Sequence, residues 1–307
     1  MRRFFSPIIL AMLGLFLTSL FWAGNIFVSK LLIGVIPPFT LNFLRWMIAV
    51  IVLLPFIWSN IHALSGMNKQ AWLSLSVYGF LGVTIYNAFL YTAAYTTSGL
   101  NIAVISTITP LLTFVFAWLF LGDRPSRNQM IGFVFGITGV LVLLSSGNVV
   151  SLLRLAFSHG DIWMLLACLG WAIYTVFLVK KPSQLTPIIF MFITTTLGLL
   201  MALPMVVWEL TQIELQLEFS QTVVISLVYV GIFPSVCSYL LFNYGVSVLG
   251  SQTASLCAYL IPVFTAIIGI LFLQEGIHWY HLVSQFLVLL GFCLTLNKGH
   301  FKRKIMN

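Results

Sequence analysis

Ten stretches of about 20 mostly apolar residues follow one another along the chain, and they decide what this sequence can fold into. A helix that crosses a bilayer needs about 20 such residues, because the hydrocarbon core is about 30 Å thick. Short turns containing polar residues, Gly or Pro separate the stretches. The predicted spans cover residues 7–33, 38–58, 70–95, 99–121, 128–146, 160–179, 187–208, 222–246, 252–273 and 279–297.

The charged residues are too few to cover a water-soluble protein of this size. Of 307 residues, 14 are Lys or Arg and 6 are Asp or Glu, so 7% are charged while 61% are hydrophobic. Soluble domains carry about 25% charged residues. Most of the exterior must therefore face lipid, and the sequence predicts an all-α integral membrane protein with about ten transmembrane helices.

The positions of Lys and Arg predict the orientation, because loops rich in these residues stay in the cytoplasm. With both termini cytoplasmic, Arg154 is the only Lys or Arg in the outer loops. The loop around Glu214 is also external. The inner side holds Arg2, Arg3, Lys69, Arg124, Arg127, Lys180, Lys181, Lys298, Lys302, Arg303 and Lys304. Basic residues at helix ends indicate a role in orienting the protein and not in nucleic-acid binding, so no nucleic-acid partner is expected.

Residues 149–157 and 209–219 mix apolar and charged side chains, which predicts short interfacial helices or, alternatively, disordered loops.

Residues able to bind a metal or catalyse a reaction are scattered. The histidines lie near the predicted interfaces, and His278 and His281 have no neighbouring ligand except Glu275. The cysteines lie far apart within apolar runs, which predicts small core residues and no disulfide: Cys168, Cys237, Cys257 and Cys293. The sequence therefore predicts no catalytic residue, no metal and no cofactor.

The two halves of the chain repeat each other. Six matches occur in order, the first three 149 residues apart and the last three 152 residues apart: Trp22 with Trp171, Pro38 with Pro187, Pro55 with Pro204, Pro110 with Pro262, Asp123 with Glu275, and Gly139 with Gly291. We predict a first repeat over residues 1–146, a connecting loop over 147–159, a second repeat over 160–297 and a basic tail over 298–307. Because each half contains five spans, the repeats must have opposite orientations, which is a common plan in secondary transporters. A duplicated scaffold without transport is the alternative.

Several segments resemble the drug/metabolite transporter superfamily, and specifically an EamA-type permease with two EamA repeats. They are FWAGNIFVSK (Phe21 to Lys30), PFTLNFLR (Pro38 to Arg45), the Tyr91 to Tyr95 pattern, and the stretch from Thr109 to Val140 with its counterpart from Ile261 to Gly291. Gly122-Asp123 and Gln274-Glu275 replace the Gly-Glu that the family often has at these turns. The resemblance implies transport of amino acids, nucleosides, sugars or other small metabolites across a bacterial plasma membrane.

Polar residues at helical spacing mark one face of four spans. They are Thr18, Trp22, Asn25 and Ser29 in the first span, Asn87, Tyr91 and Tyr95 in the third, Ser235, Tyr239 and Asn243 in the eighth, and Gln252, Ser255 and Tyr259 in the ninth. The predicted substrate-binding residues come from these faces, from the sixth span and from two basic positions: Trp22, Asn25, Asn87, Tyr91, Tyr239, Asn243, Gln252 and Tyr259, then Trp171 and Tyr174, and finally Lys30 and Arg45. Such faces line a water-filled cavity or, alternatively, join packed helices through hydrogen bonds.

Two basic residues, Lys30 and Arg45, fall inside spans at similar depth. A substrate carboxylate or phosphate, backbone carbonyls, or snorkelling to the outer interface could compensate their charge. No Asp or Glu falls in the middle of a span, so a carboxylate proton relay has no candidate. Pro110 and Pro262 fall mid-span and predict matched bends beside a central site, or simple kinks.

These features together predict a secondary transporter that moves a small polar metabolite by alternating access, with amino acids as the first substrate class. The expected partners are this small molecule and the lipid bilayer, and the protein is a monomer or homodimer. A membrane-embedded enzyme and a non-transporting interaction protein are the alternatives, but an enzyme would need a catalytic cluster that the sequence does not contain.

Overall fold

Helices form all the regular structure in the described part of this computed structural model, which comprises residues 6–32, 34–57, 67–97, 99–148, 150, 158–182, 184–212, 220–273 and 278–295. The ten spans are numbered in chain order. The first five are α1 Pro7–Leu32, α2 Pro38–Ile57, α3 Lys69–Thr96, α4 (two pieces, Gly99–Ser106 and Thr109–Leu121) and α5 Arg127–Leu144. The second five are α6 His159–Lys180, α7 Pro187–Gln212, α8 Gln221–Leu249, α9 (three consecutive pieces, Ser251–Ser255, Leu256–Tyr259 and Leu260–Leu273) and α10 Trp279–Leu294.

The predicted membrane architecture is confirmed. Among the described residues, nine stretches are long and apolar enough to cross a bilayer, and α10 adds a shorter apolar helix. Large apolar side chains such as Leu119 and Phe286 are exposed on the outside of the bundle, as a lipid-facing surface requires. The proposed interfacial helices fall mostly outside the described residues, namely at 149, 151–157 and 213–219.

The prediction for the cysteines is only half right. Cys168 and Cys257 are buried, but Cys237 is half-buried and Cys293 is exposed on α10. A thiol is small and weakly polar, so it is tolerated on a lipid-facing surface as well as in a core.

Helix starts are capped by neighbouring residues in one case and by a side chain of another helix in a second. Ser126 and Gln129 form a reciprocal capping box at the start of α5. At the start of α2, the Glu209 carboxylate of α7 accepts the backbone N–H groups of Phe39 and Thr40, at 3.0 and 2.7 Å. An acidic side chain is favourable there because the first N–H groups of a helix have no partner within the helix.

Packing between the helices has approximate two-fold symmetry. In the first half α1 packs against α8 and α9, and in the second half the equivalent α6 packs against α3 and α4. The pairs α2 with α7 and α5 with α10 each join equivalent helices. Thr18 donates to the carbonyl of Ser238 and Trp22 to that of Pro234, so α1 and α8 are antiparallel. Repeats with this pairing and five spans each are inverted with respect to one another.

Glycines allow α5 and α10 to pack closely within the chain. A Cβ at Gly132 would lie 2.6 Å from the carbonyl oxygen of Gly291, and one at Gly139 would lie 2.9 Å from that of Ser284. The two contacts are symmetry equivalents, since Gly139 corresponds to Gly291. The hydrophobic effect does not drive helix association in lipid, so close van der Waals packing between small residues stabilises this pair of helices instead.

Four spans depart from regular α-helix at equivalent positions. α3 and α8 each contain a six-residue π-helical segment, Phe80–Ile85 and Ile232–Cys237, 152 residues apart. α4 is interrupted between Ser106 and Thr109, and α9 passes through a 3₁₀ turn at Leu256–Tyr259. Pro110 and Pro262 follow these last two irregularities, so each proline begins a new helical piece instead of kinking a continuous helix.

Candidate functional site

The pseudo-two-fold axis passes through a polar and aromatic cluster at the centre of the bundle. Trp22 and its equivalent Trp171 meet edge to face, with ring centroids 5.2 Å apart. Asn87 and its equivalent Tyr239 are joined by a hydrogen bond of 3.3 Å from Asn87 Nδ2 to the Tyr239 hydroxyl. Residues that contact their own equivalents must lie on the axis, so these four predicted residues, one each from α1, α3, α6 and α8, converge there.

Arg45 of α2 inserts its guanidinium between α3 and α8. The side chain is 1% exposed. Its Nε donates to Ser235 Oγ at 2.6 Å, and its Nη2 donates to the carbonyl of Pro234 at 3.0 Å. Its Nη1 donates to Asn87 Oδ1 and to the Tyr91 hydroxyl, both at 2.8 Å. Arg45 is therefore buried and hydrogen-bonded within the bundle, and it does not snorkel to the interface.

The π-helical segments present backbone carbonyls to this cluster. In α3, the Gly82 carbonyl accepts from Asn87 Nδ2 and from the Tyr239 hydroxyl, at 3.3 and 2.5 Å. In α8, the equivalent Pro234 carbonyl accepts from Arg45 and from Trp22 Nε1. A π-helical turn widens the helix and frees carbonyls from the i to i+4 pattern, which explains how both oxygens become available to side chains.

A Tyr–Asn hydrogen bond occurs once in each half, with the residue types exchanged. Tyr91 of α3 donates to Asn25 Oδ1 of α1 at 3.2 Å. Tyr174 of α6, the equivalent of Asn25, donates to Asn243 Oδ1 of α8 at 3.0 Å. The interaction is thus duplicated on either side of the axis although the sequences differ at all four positions.

Aromatic rings form the rest of the cluster. Trp171 stacks on Tyr174 at 5.0 Å and lies 4.7 and 5.2 Å from the rings of Tyr86 and Phe242. Trp46, which directly follows Arg45, meets the Tyr239 ring edge to face at 4.9 Å. Sequence reasoning missed Tyr86, Phe242 and Trp46, because aromatic residues on apolar helices are indistinguishable from core residues without their neighbours.

Neutral dipoles are the hydrogen-bond partners of Arg45. Within the described residues, no carboxylate accepts from it. The buried acids Glu209 and Asp161 lie at helix ends, where Glu209 caps α2 and Asp161 accepts from Thr97 and Asn101. The backbone of Lys30 continues α1, and its side chain lies outside the described residues.

Two predicted residues of α9 bond to α4 and to the turn that follows it. Gln252 of α9 donates to the backbone carbonyl of Asp123, in the turn between α4 and α5, at 2.8 Å. Tyr259 donates to the carbonyl of Thr107 at the interruption of α4, at 3.2 Å. Their polar face therefore joins α9 to α4, which is the helix-to-helix alternative that the sequence left open.

A cavity of about 750 Å³ lies to one side, between α4, α5 and α6. Its walls are mainly apolar and include Ile105, Leu111, Phe133 and Leu165. None of the predicted substrate-binding residues lines it. Among the described residues, no group of three His, Cys, Asp or Glu is arranged to hold a metal ion.

Several known proteins are similar to this chain over most of its length. An "Uncharacterized transporter" of Archaeoglobus fulgidus is 27% identical over 288 residues, which are 92% of this chain and 96% of the relative. The "Uncharacterized transporter YyaM" of Bacillus subtilis is 28% identical over 283 residues, or 89% of each chain. The "WAT1-related protein At3g02690, chloroplastic" of Arabidopsis thaliana is 28% identical and covers 90% of this chain and 66% of its own.

A solved crystal structure superposes with a TM-score of 0.72 at 17% identity, covering 93% of this chain and 96% of the other, and supports the fold alone. The model of the EamA-like transporter family matches residues 9–145 and again residues 158–297. Two matches in tandem correspond to the two inverted halves seen in the structure. The chain therefore belongs to the EamA-like transporter family.

Proposed function

We propose that this transporter moves a small polar metabolite that carries a carboxylate, an amino acid or a related compound, by alternating access. The observation that carries the proposal is Arg45, a permanently charged guanidinium buried at the bundle centre with only neutral partners among the described residues. A charge in low dielectric is costly unless an opposite charge compensates it. A substrate carboxylate supplies that charge.

The surrounding groups suit a molecule with both signs of charge. A guanidinium binds a carboxylate through two parallel hydrogen bonds, which lysine cannot reproduce. The faces of Trp22, Trp171 and Tyr239 attract an ammonium group through their ring electrons. Asn25 and Asn243 add uncharged hydrogen-bonding groups at either side of the axis. An amino acid carries all the groups that these side chains complement.

Matched irregularities in the helices support alternating access. The π-helical segments of α3 and α8, and the interruptions of α4 and α9, occur at equivalent positions in the two halves. Irregular backbone within a span allows bending in helices that are otherwise stiff. The repeats predicted over residues 1–146 and 160–297 then rock against each other and open the site to either side in turn.

The two sides of the pseudo-two-fold axis are chemically different. Thr194 occupies the position equivalent to Arg45, and its hydroxyl donates to the Phe190 carbonyl of its own helix at 2.9 Å. The charged contact between α2 and α8 thus has no counterpart between α7 and α3. With both termini in the cytoplasm of a bacterial cell, Arg45 lies toward the external side and serves as substrate anchor or external gate.

Coupling to protons through a buried carboxylate forms no part of the proposal. Within the described residues, Asp161 and Glu209 are the buried acids, and both accept hydrogen bonds at helix ends. Facilitated diffusion, exchange, or coupling through other groups fits this chain better than a carboxylate relay.

Reconstitution tests the function directly. The purified protein is screened by thermal unfolding in detergent and by uptake into proteoliposomes, with amino acids, nucleosides and sugars as probes. We expect at least one amino acid both to raise the unfolding temperature and to be transported. Stabilisation and uptake by nucleosides or sugars alone would refute the substrate class. A non-transporting interaction protein predicts neither response to any of the three classes.

A further inference from the structure

Two buried polar atoms beside Arg45 have no hydrogen-bond partner among the described residues. They are Asn42 Oδ1, an acceptor, and Trp46 Nε1, a donor. Both side chains belong to α2, and they are 1% and 0% exposed. A buried polar group without a partner costs free energy, so natural proteins rarely contain one without a reason.

The two atoms lie at one junction of three helices. Asn42 Nδ2 donates to the carbonyl of Val83, in the π-helical segment of α3, at 3.3 Å. The adjacent Gly82 carbonyl accepts from the Tyr239 hydroxyl, and the Tyr239 ring lies 4.9 Å from the Trp46 ring. Asn42 and Trp46 are four residues apart, which places them on one face of α2, with Arg45 beside them.

The guanidinium lies directly over the Trp46 ring, with Arg45 Cζ 5.1 Å from the ring centroid. The indole that carries the unpartnered donor therefore lies beside the group that the proposed function assigns to the substrate carboxylate. A donor and an acceptor beside a cation complement a ligand that offers an acceptor and a donor beside an anion.

We propose that Asn42 and Trp46 bind the substrate together with Arg45 and determine its specificity. This inference rests on the proposed function. Trp46 Nε1 donates to a carboxylate oxygen of the substrate, and Asn42 Oδ1 accepts from the N–H group on the adjacent carbon. Because Arg45 is fully enclosed, the substrate reaches these groups after α2 separates from α3 or α8. The ligand class is a carboxylate with a neighbouring amino group.

Trp46→Phe is the sharpest test because it removes the N–H and retains an aromatic side chain. Trp118→Phe, at a half-exposed position of α4 outside the central cluster, is the matched control. Each protein is measured in detergent for its unfolding temperature without ligand, and in proteoliposomes for uptake. The probes are the common L-amino acids, each with the carboxylic acid that lacks its amino group.

A specificity role predicts a larger effect on binding than on stability. Trp46→Phe leaves space where the larger indole packed, but it also removes a buried donor that has no partner in the described part of the chain, so we expect the unfolding temperature without ligand to change little. We expect its KM for the transported amino acid to rise about tenfold, equivalent to about 1.4 kcal/mol. Asn42→Leu is expected to reduce the preference for the amino acid over its deaminated counterpart by a similar factor.

Three outcomes overturn the inference. If the wild type transports an amino acid and Trp46→Phe and Asn42→Leu transport it with the same KM and preference, the inference fails while the proposed function stands. If Trp46→Phe lowers the unfolding temperature and retains the wild-type KM, the indole ring packs this junction and does not bind the substrate. If no amino acid stabilises or is transported by the wild type, the proposed substrate class and this inference fail together.

Discussion

Replacement of Arg45 separates a role in transport from a role in packing. We consider Arg45→Lys and Arg45→Gln. Lysine retains the charge but concentrates it in one ammonium group, so it loses the two-pronged contact with a carboxylate. One hydrogen bond to a charged group contributes about 1.5–3 kcal/mol. At 1.4 kcal/mol per factor of ten, Arg45→Lys should lower kcat/KM by roughly 10- to 150-fold. Arg45→Gln also loses the charge and should abolish measurable uptake.

Folding should be affected much less than transport. Arg45 donates four hydrogen bonds to neutral groups, and its loss leaves acceptors such as Asn87 Oδ1 without this donor. The same replacement by Gln removes the cost of burying a charge that no described carboxylate compensates. Because these effects oppose each other, we expect the free energy of unfolding of Arg45→Gln to change by about 2 kcal/mol or less.

The assay combines uptake into proteoliposomes with the rise in unfolding temperature that the transported amino acid produces. Arg127→Lys and Arg127→Gln, at an exposed position in the first turn of α5, serve as matched controls and should behave as wild type. Uptake kinetics indistinguishable from wild type in both Arg45 variants would remove Arg45 from the mechanism and leave packing as its role.

Other predictions concern topology and packing. In a cysteine-free background, single cysteines that replace Arg154 and Glu214 should react with an impermeant reagent from outside intact cells. Protection of both would show that the protein has the opposite orientation in the membrane. Gly132→Ala should lower the free energy of unfolding by about 1–3 kcal/mol because the added Cβ would clash with α10. Gly170→Ala, whose Cβ would lie 3.4 Å from its nearest neighbour, should be tolerated. Equal unfolding temperatures for these two variants would contradict the close packing of α5 on α10. Glu209→Ala should lower the free energy of unfolding by about 1–2 kcal/mol through loss of the α2 cap, and unchanged thermal stability would show that the cap contributes nothing.

The helical spans were predictable to within a few residues because a bilayer imposes a minimum apolar length. The first span was predicted over 7–33 and is Pro7–Leu32, and the second over 38–58 and is Pro38–Ile57. The seventh runs to Gln212, four residues beyond its predicted end. Hydropathy alone could not extend it, because Glu209 is a charged residue that remains buried only by capping α2.

Site residues were predictable where the repeat placed them on the axis. Trp22 and Trp171 were matched by offset alone, and they contact each other. Gln252 and Tyr259 satisfied the same periodicity but bond to α4 and its following turn. Periodicity identifies the polar face of a helix, whereas the neighbour that this face contacts depends on how the helices pack.

The sequence by itself determined the membrane-spanning helices, the duplication and the presence of a cation within a span, because apolar length, repeat offset and charge are properties of the linear chain. Only the tertiary structure decided which partners Arg45 has and where α3 and α8 become π-helical. The physical reason is that a wide helical turn is stabilised by its neighbours. Gly82 and Pro234 present carbonyls whose side-chain donors come largely from other helices, at residues up to 212 positions away in the chain.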